Sequence, residues 1–145
     1  MNFINIIHYM NALKVLMIDD DTIEIMKLNR TVSSMNLDHQ ITDAKNGEQA
    51  LNILKQKDGL PDIILLDLNM PKINGIEFLT ILKAKESLMH IPIVIVTTSS
   101  NNKDLLQCYK LGIAGYIIKP LKYKDYVNKI KKVLDYWSVN QLIKN

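Results

Sequence analysis

The sequence predicts a single α/β domain in which helices cover both faces of a parallel β-sheet. Short apolar runs alternate along the chain with segments of helical periodicity, which is the pattern of repeated strand–helix units. Two of these runs are continuously apolar, Ile63–Leu66 and Ile93–Val96, as expected of strands buried on both faces. The length of 145 residues, 48% of them hydrophobic, is enough for one core and leaves little room for a second domain.

The first half of the chain predicts three strands and two helices. Asp21 followed three residues later by Glu24 resembles a capping box, which marks the start of the first helix. Asn46 and Gln49 form another cap pair, and the Asp58–Pro61 segment ends the helix that follows them. The predicted elements are a strand at Leu13–Ile18, a helix at about Thr22–Ser34, a strand at His39–Ala44, a helix ending near Lys57 and the strand at Ile63–Leu66.

The second half predicts two more strands and three more helices. Pro92 introduces a β-branched run, and Gly112 and Gly115 separate the fourth helix from the last strand. The apolar residues of the final segment recur at helical spacing as far as Trp137. The predicted elements are a helix at about Gly75–Lys83, the strand at Ile93–Val96, a helix at about Asn102–Leu111, a strand at Tyr116–Ile118 and a helix at about Lys122–Tyr136.

Four of the five predicted strands end in a polar residue that could do chemistry. Asp19 and Asp20 follow the first strand, Asp67 the third, Thr97 the fourth and Lys119 the fifth. The carboxyl ends of parallel strands lie along one edge of the sheet, where ligands bind in open α/β folds. We therefore expect these side chains to meet around one point, although they are up to 100 positions apart in the sequence.

The acidic residues at this edge predict a metal site. Three carboxylates in one pocket repel one another and stay ionised together only if cations neutralise them. Asp19, Asp20 and Asp67 offer oxygen ligands without any His or Cys, and the backbone carbonyl of Asn69 could add another. Hard oxygen ligands suit Mg²⁺, with Mn²⁺ as a possible substitute, and do not favour zinc.

Asp67 is the candidate nucleophile. A carboxylate can attack phosphorus to form an acyl phosphate, and catalysis then consists mainly of positioning and charge neutralisation. Lys119 and Thr97 could contact two of the phosphoryl oxygens. Each residue alone has an ordinary structural explanation, since an Asp at a strand end is often only a helix cap, the role expected for Asp21. The coincidence of all four strand ends favours function.

Composition excludes several other classes of function. Cys108 is the single cysteine, so the chain can form no internal disulfide and no thiolate metal cluster. The net charge of +3 arises from interspersed acids and bases, which argues against direct DNA binding by charge alone. The apolar runs are strand-sized, and residues 1–12 lack the basic region and cleavage site of a secretory leader. We expect a cytoplasmic protein without membrane contact.

The chain resembles the CheY-like receiver domains of two-component response regulators over Leu13–Trp137. The resemblance is carried by four motifs: IDDD at Ile18–Asp21, PDIILLDLNMPKINGIEFL at Pro61–Leu79, IPIVIVTTSS at Ile91–Ser100 and GYIIKP at Gly115–Pro120. It implies a flavodoxin-like (βα)5 doubly wound sandwich with a five-stranded parallel sheet in the order 2-1-3-4-5. It also implies a receiver domain at residues 13–137, an N-terminal extension at 1–12 and a C-terminal tail at 138–145.

The resemblance implies a role for each residue at the strand ends. Asp67 would accept a phosphoryl group from a histidine kinase or a histidine phosphotransfer protein, while Asp19 and Asp20 bind Mg²⁺. Phosphoryl-binding and switch roles fall to a further set of residues: Thr97, Thr98, Lys119 and the strand-five aromatic Tyr116. A cis peptide bond before Pro120 would aim the lysine. Chemistry would be limited to the chain's own phosphorylation and dephosphorylation.

The implied output is a protein contact. Phosphorylation would change the surface formed by helix four, strand five and helix five, which would bind a downstream target or support a homodimer. Since little sequence follows helix five, a stand-alone receiver is expected. The residues Thr98 and Ser99 after Thr97, together with the DDD run, are similar to single-domain regulators associated with bacterial phytochromes.

Two other classes of function stay open at this level. A Mg²⁺-dependent phosphohydrolase of the haloacid-dehalogenase type also uses an Asp nucleophile at a strand end. That class requires a second acid two residues after the nucleophile, where this chain has Asn69. A scaffold or dimerisation module that no longer needs phosphate is disfavoured because every motif residue is present.

Overall fold

The computed structural model describes residues 10–56 and 58–143 and contains one five-stranded parallel sheet in the order β2-β1-β3-β4-β5. Every neighbouring pair of strands is parallel. The predicted fold class and strand order are therefore confirmed. The strands are β1 (Lys14–Ile18), β2 (Gln40–Ala44), β3 (Ile63–Leu66), β4 (Ile93–Thr97) and β5 (Gly115–Ile118).

Helices follow the strands and form a layer on each face of the sheet. Helices α1 and α5 pack on one face, where Leu28 and Ile130 are buried, and α2, α3 and α4 pack on the other, around Phe78. The described helices are α1 (Thr22–Ser33), α2 (Gly47–Leu54), α3 (Gly75–Lys83), α4 (Asn102–Lys110) and α5 (Tyr123–Ser138). None of these helices combines the length and apolarity that crossing a bilayer would require.

Strand β3 lies at the centre of the sheet and explains the uninterrupted apolar run. Its alternate residues belong to opposite cores, Ile63 and Leu65 with α1 and α5, Ile64 and Leu66 with the other three helices. All four side chains are fully buried. Because burying each one stabilises the fold by roughly 1.5–3 kcal/mol, a polar residue inside this strand would be strongly destabilising.

Asx caps start four of the helices at the carboxyl edge of the sheet. The side chains of Asp21 and Asn46 accept first-turn N–H groups of α1 and α2, as the sequence predicted for these two. Asn74 and Asn101 do the same for α3 and α4, whereas Lys122 makes no such bond for α5. Each cap stabilises its helix by about 1 kcal/mol and fixes where the chain leaves the preceding loop.

Several element ends differ from the sequence prediction, among them those of α2, β2 and α5. Helix α2 ends at Leu54 instead of near Lys57, a residue outside the described ranges, because the chain already leaves the helix before Gly59, which has φ of 82°. Strand β2 begins at Gln40, since the His39 imidazole itself accepts the Leu13 N–H. Helix α5 continues to Ser138, a residue that the sequence places in the tail.

Ser138 belongs structurally to the domain. It is fully buried, its hydroxyl donates to the Leu134 carbonyl, and its own carbonyl accepts the Asn11 N–H at 2.9 Å. The first described residues and the end of α5 are therefore joined by a backbone hydrogen bond. The expected N-terminal extension lies outside the described residues except for positions 10–12, which have no regular structure.

Candidate functional site

The carboxyl edge of the sheet brings together the acids predicted from the sequence. Asp19 and Asp67 directly follow β1 and β3, and their backbone N–H groups continue the ladder to the Ala44 and Ile18 carbonyls at 3.0 and 2.9 Å. Ligand atoms of Asp19, Asp20 and Asp67 lie within 4.8 Å of one another. We call these three residues the aspartate cluster. The sheet thus fixes the backbones of Asp19 and Asp67, two of the three residues of the cluster.

The members of the aspartate cluster differ in burial and in hydrogen bonding. Asp19 is fully buried, Asp67 is 6% exposed and Asp20 is exposed. One oxygen of Asp19 accepts the Asp21 N–H at 2.9 Å, while Asp67 receives only a long bond of 3.4 Å from the Asn69 N–H. Burial raises the pKa of Asp19, although the hydrogen bond from Lys119 opposes the effect. A cation that replaces lost solvation would therefore stabilise the cluster.

Lys119 is the ammonium group of the site. Its Nζ lies 2.7 Å from Asp19 Oδ2, 3.5 Å from Asp67 Oδ2 and 3.9 Å from Glu24 Oε2, with only 8% of the side chain exposed. Burial disfavours its charged form, but the hydrogen bond to Asp19 and the surrounding carboxylates outweigh burial and raise the pKa of Lys119. The lysine is thus held protonated against the nucleophile candidate.

The charges at this edge fit a divalent cation. Glu24 and the aspartate cluster provide four carboxylates. Two ammonium groups oppose them, that of Lys119 and that of Lys27, which lies 3.1 Å from Glu24. This leaves two negative charges. The donors of the cluster are all oxygens, as Mg²⁺ and Mn²⁺ prefer, and exposed Asp20 leaves a side open to solvent. The residues present therefore suit such an ion.

The loop after Asp67 approaches helix α3 closely. The Gly75 N–H donates to the Leu68 carbonyl at 3.0 Å, and a Cβ at Gly75 would lie 2.6 Å from the Asp67 carbonyl oxygen and from Leu68 Cα. No side chain fits at that distance, so glycine is required by close packing. Asn69 and Thr98 are both exposed in the loops that flank the cluster.

Thr97 presents the hydroxyl at the end of β4. It is fully buried, its Oγ1 accepts a long bond of 3.4 Å from the Ser99 N–H, and its carbonyl accepts the Lys119 N–H at 2.7 Å. The backbone that carries the lysine is therefore bonded to the backbone that carries the hydroxyl. A displacement of the end of β4 would therefore also displace the end of β5, and the reverse.

Tyr116 connects β5 to the loop between β4 and α4. Its hydroxyl donates to the Ser99 carbonyl at 2.9 Å, and the Ser99 hydroxyl donates to Asp104 in the first turn of α4 at the same distance. Burial raises the pKa of Tyr116, so the phenol stays a donor at neutral pH. The three side chains link the loop beside the site to the start of α4.

The expected cis bond before Pro120 is wrong. The described residues contain no cis peptide bond, so Lys119 and Pro120 are joined in trans. The trans form of such a bond is favoured by about 0.5–1 kcal/mol, and the Lys119 ammonium already reaches Asp19 at 2.7 Å with this geometry.

Glu24 is the site residue that the sequence reasoning missed. The sequence pattern pairs it with Asp21 in a capping box, but Asp21 caps the Ile23 N–H and the Glu24 carboxylate lies beside Lys27 and Lys119. The spacing of Glu24 and Lys27, three residues apart on one helix face, was the available signal. It indicated that the Glu24 side chain points toward Lys27 on the same helix and not back toward the cap residue Asp21.

The comparisons with known proteins agree on one family. A model of the response regulator receiver domain matches residues 15–131. The chain is 32% identical over 127 residues to the probable methanogenesis regulatory protein FilR2 of Methanothrix harundinacea (strain 6Ac), covering 85% of this chain and 82% of that protein.

Two solved structures of response regulators have the same architecture. The phosphorylated cyanobacterial phytochrome response regulator RcpA superposes with a TM-score of 0.86 at 28% identity, covering 92% of this chain and 99% of that one. The Mn²⁺-bound form of response regulator Rcp1 superposes with a TM-score of 0.82 at 28% identity, covering 90% and 99%.

Proposed function

Because the chain belongs to the response regulator receiver family of two-component signalling proteins, we propose that residues 13–137 form a phosphorylation-controlled switch with Asp67 as phosphoacceptor. The observation that carries the proposal is the contact of Lys119 with Asp67, a member of the aspartate cluster, at the carboxyl edge of the sheet. The phosphoryl donor is a histidine kinase or a histidine phosphotransfer protein. The protein acts in the cytoplasm and, because its charges are mixed, without binding DNA.

Phosphoryl transfer begins with attack of an Asp67 carboxylate oxygen on the phosphorus of a phosphohistidine. The new P–O bond forms as the P–N bond breaks, and the imidazole of the donor leaves with the bonding electron pair. The Lys119 ammonium neutralises one phosphoryl oxygen and the Thr97 hydroxyl donates to another. Lys119 already lies 3.5 Å from Asp67, and Thr97 ends β4, the strand that pairs with β3. This chemistry is limited to the chain's own phosphorylation and dephosphorylation.

The aspartate cluster, together with the Asn69 backbone carbonyl, would hold Mg²⁺, with Mn²⁺ able to replace it. When bound, the ion supplies positive charge to the phosphoryl oxygens. The Mn²⁺-bound form of the similar protein Rcp1 supports the binding of a divalent cation, and the aspartate cluster is the group of carboxylates that could hold it here. The chain's own contribution is the Lys119 ammonium, which lies 2.7 Å from Asp19 and 3.5 Å from Asp67 and offsets part of their negative charge.

The switch follows from the contacts around Thr97. A phosphoryl group on Asp67 adds negative charge and acceptor oxygens, which draw the Thr97 hydroxyl toward it. Since the Ser99 N–H bonds Thr97 and the Ser99 carbonyl accepts the Tyr116 hydroxyl, this movement is passed to α4 and β5. Thr98 lies in the same loop and is a further candidate for binding the phosphoryl group.

The output surface consists of α4, β5 and α5. It exposes large apolar side chains, among them Leu106 and Tyr109 on α4 and Ile118 on β5. Such groups favour protein contact over solvent. A downstream protein, or a second copy of this chain, would bind there when Asp67 is phosphorylated.

Acetyl phosphate with and without Mg²⁺ tests this function. We expect one phosphoryl group per wild-type chain, seen by mass spectrometry, only when Mg²⁺ is present. Asp67→Asn should accept none, whereas Asp43→Asn, which removes an exposed acid from β2, should react as the wild type does. Phosphorylation of Asp67→Asn to the wild-type extent, or a reaction indifferent to Mg²⁺, would overturn the proposal.

A further inference from the structure

Glu24 has one carboxylate oxygen that accepts no hydrogen bond. It lies in the first turn of α1 with 14% of its side chain exposed. Its Oε1 accepts from Lys27 at 3.1 Å, while Oε2 is buried, unpartnered and 3.9 Å from the Lys119 ammonium. A buried charged acceptor without a donor is unfavourable, so the pocket contains spare acceptor capacity that faces the lysine.

Lys119, by contrast, occupies an oxygen that a metal ion needs. Its ammonium bonds Asp19 Oδ2 at 2.7 Å, while Asp19 Oδ1 already accepts the Asp21 N–H at 2.9 Å. Both oxygens of the most buried member of the aspartate cluster are therefore engaged. An ammonium group at that distance would also repel a divalent cation. Lys119 therefore competes with the ion for Asp19, and its withdrawal from Asp19 would favour binding of the ion by the cluster.

We infer that Glu24 is a positioning residue that accepts the Lys119 ammonium when a divalent cation occupies the aspartate cluster. The inference rests on the function proposed above. A displacement of about 1 Å would bring Nζ from 3.9 Å to the 2.7–2.9 Å of a charge-assisted hydrogen bond with Glu24 Oε2. The lysine would then release Asp19 and remain at the same edge, within reach of a group on Asp67.

The helix contact between α1 and α5 holds Glu24 in this position. Lys27 bonds the outer oxygen of Glu24, and the Lys27 ammonium itself lies 4.4 Å from the centre of the Tyr126 ring. The carboxylate is thereby oriented with its free oxygen toward Lys119. Glu24 acts through the lysine and contacts neither the phosphoryl group nor the nucleophile.

Calorimetric titration of the 145-residue chain with Mg²⁺ alone tests the inference. Glu24→Met keeps the length of the side chain but removes the acceptor, so we expect roughly tenfold weaker Mg²⁺ binding. Asp21→Asn is the matched control, because it removes one nearby negative charge and still caps α1. We expect less than about a threefold loss there, since exposed charges are screened. Circular dichroism verifies that each variant is folded.

Two further variants separate position from charge. Glu24→Asp keeps the charge but withdraws the carboxylate by one methylene, and should bind Mg²⁺ more weakly than the wild type. In a Lys119→Met background Glu24 has no ammonium to accept. Adding Glu24→Met there should weaken Mg²⁺ binding only as much as Asp21→Asn does in the wild type. The Asp variant also keeps the test valid if the Met variant does not fold.

Equal losses for Glu24→Met and Asp21→Asn would overturn the inference, as would an unchanged effect of Glu24→Met in the Lys119→Met background. In either case a wild type that binds Mg²⁺ and is phosphorylated on Asp67 would leave the proposed function standing. A wild type that neither binds Mg²⁺ nor accepts phosphate would overturn both.

Discussion

Strand β3 carries a buried carboxylate at each end, and the two differ in what holds them. Asp62, just before the strand, accepts the Lys14 N–H at 2.8 Å while its own N–H donates to the Lys14 carbonyl at 2.7 Å. Asp67, just after it, receives a bond of 3.4 Å from Asn69 and an ammonium at 3.5 Å. Asp62 is bonded as part of the sheet, whereas Asp67 keeps its oxygens available.

The same contrast extends along the two edges of the sheet. At the amino edge, the buried polar side chains of Asp62 and His39 accept backbone N–H groups of Lys14 and Leu13. At the carboxyl edge, buried acids lie beside one another and share one lysine. The first arrangement stabilises the fold, and the second holds charge that a ligand can satisfy.

The largest effects are expected when each of the two carboxylates that flank β3 is replaced by Ala, because one should affect stability and the other phosphorylation. Asp67→Ala should abolish phosphorylation by acetyl phosphate and leave the free energy of unfolding within about 1 kcal/mol of the wild type. Asp62→Ala should lower the free energy of unfolding by about 1–3 kcal/mol, because a part-buried Lys14 N–H loses its acceptor, while phosphorylation persists. Urea unfolding and mass spectrometry measure the two properties. If Asp62→Ala lost phosphorylation while still folded, the contrast would be wrong.

Among the described glycines, Gly75 at the carboxyl edge is the only one where an added Cβ would lie closer than 3.0 Å to another atom. Gly75→Ala places a methyl group 2.6 Å from backbone atoms of Asp67 and Leu68, so the loop must move. We expect a loss of about 1–3 kcal/mol in unfolding free energy, together with slower phosphorylation, because the loop carries the nucleophile. Gly59→Ala is a useful contrast, since a Cβ there meets no atom within 4 Å and only the φ of 82° is strained. Unaltered phosphorylation in Gly75→Ala would show that the loop tolerates displacement.

The amino edge should respond to pH through His39. Its Nδ1 accepts the Leu13 N–H, and burial lowers the pKa of His39 below its ordinary value of 6.5, although the nearby carboxylates of Asp135 and Asp38 oppose this change. Below that pH the unfolded chain therefore binds a proton that the folded chain does not. The stability contributed by neutral His39 is fully present above about pH 6.5 and decreases as the pH falls from there toward the lower pKa of the folded state.

His39→Asn provides the measurement. The Asn side-chain oxygen accepts the Leu13 N–H without taking up a proton, so the fall in urea midpoint between about pH 7 and 5.5 should become shallower. His90→Asn removes an imidazole elsewhere and controls for the loss of one titrating group. A pH dependence that is the same in the wild type and in His39→Asn would refute this role.

Local signals were sufficient for most of the fold. The central strand was predicted at its observed bounds because an uncharged apolar run of strand length has few alternatives. The cap at Asn46 was correct because the Asn46 side chain accepts the Gln49 N–H while the Gln49 side chain accepts the Lys45 N–H. Asn74 and Glu77 carry the same signal and could have been recognised. The start of β2 was misplaced because His39 replaces a ladder bond by a side-chain bond, which no periodicity reveals.

The sequence by itself determined that acids, a hydroxyl and a lysine would lie at one edge of a parallel sheet, because strand ends follow from local hydrophobicity. Only the tertiary structure decided which of them touch. In the sheet order, β1 and β5 are three strand spacings apart, about 14 Å, so contact between Lys119 and Asp19 depends on how the chain after β5 crosses the edge. The place of Glu24 beside that lysine depends in turn on the packing of α1. Such distances arise from the whole fold, and no local pattern encodes them.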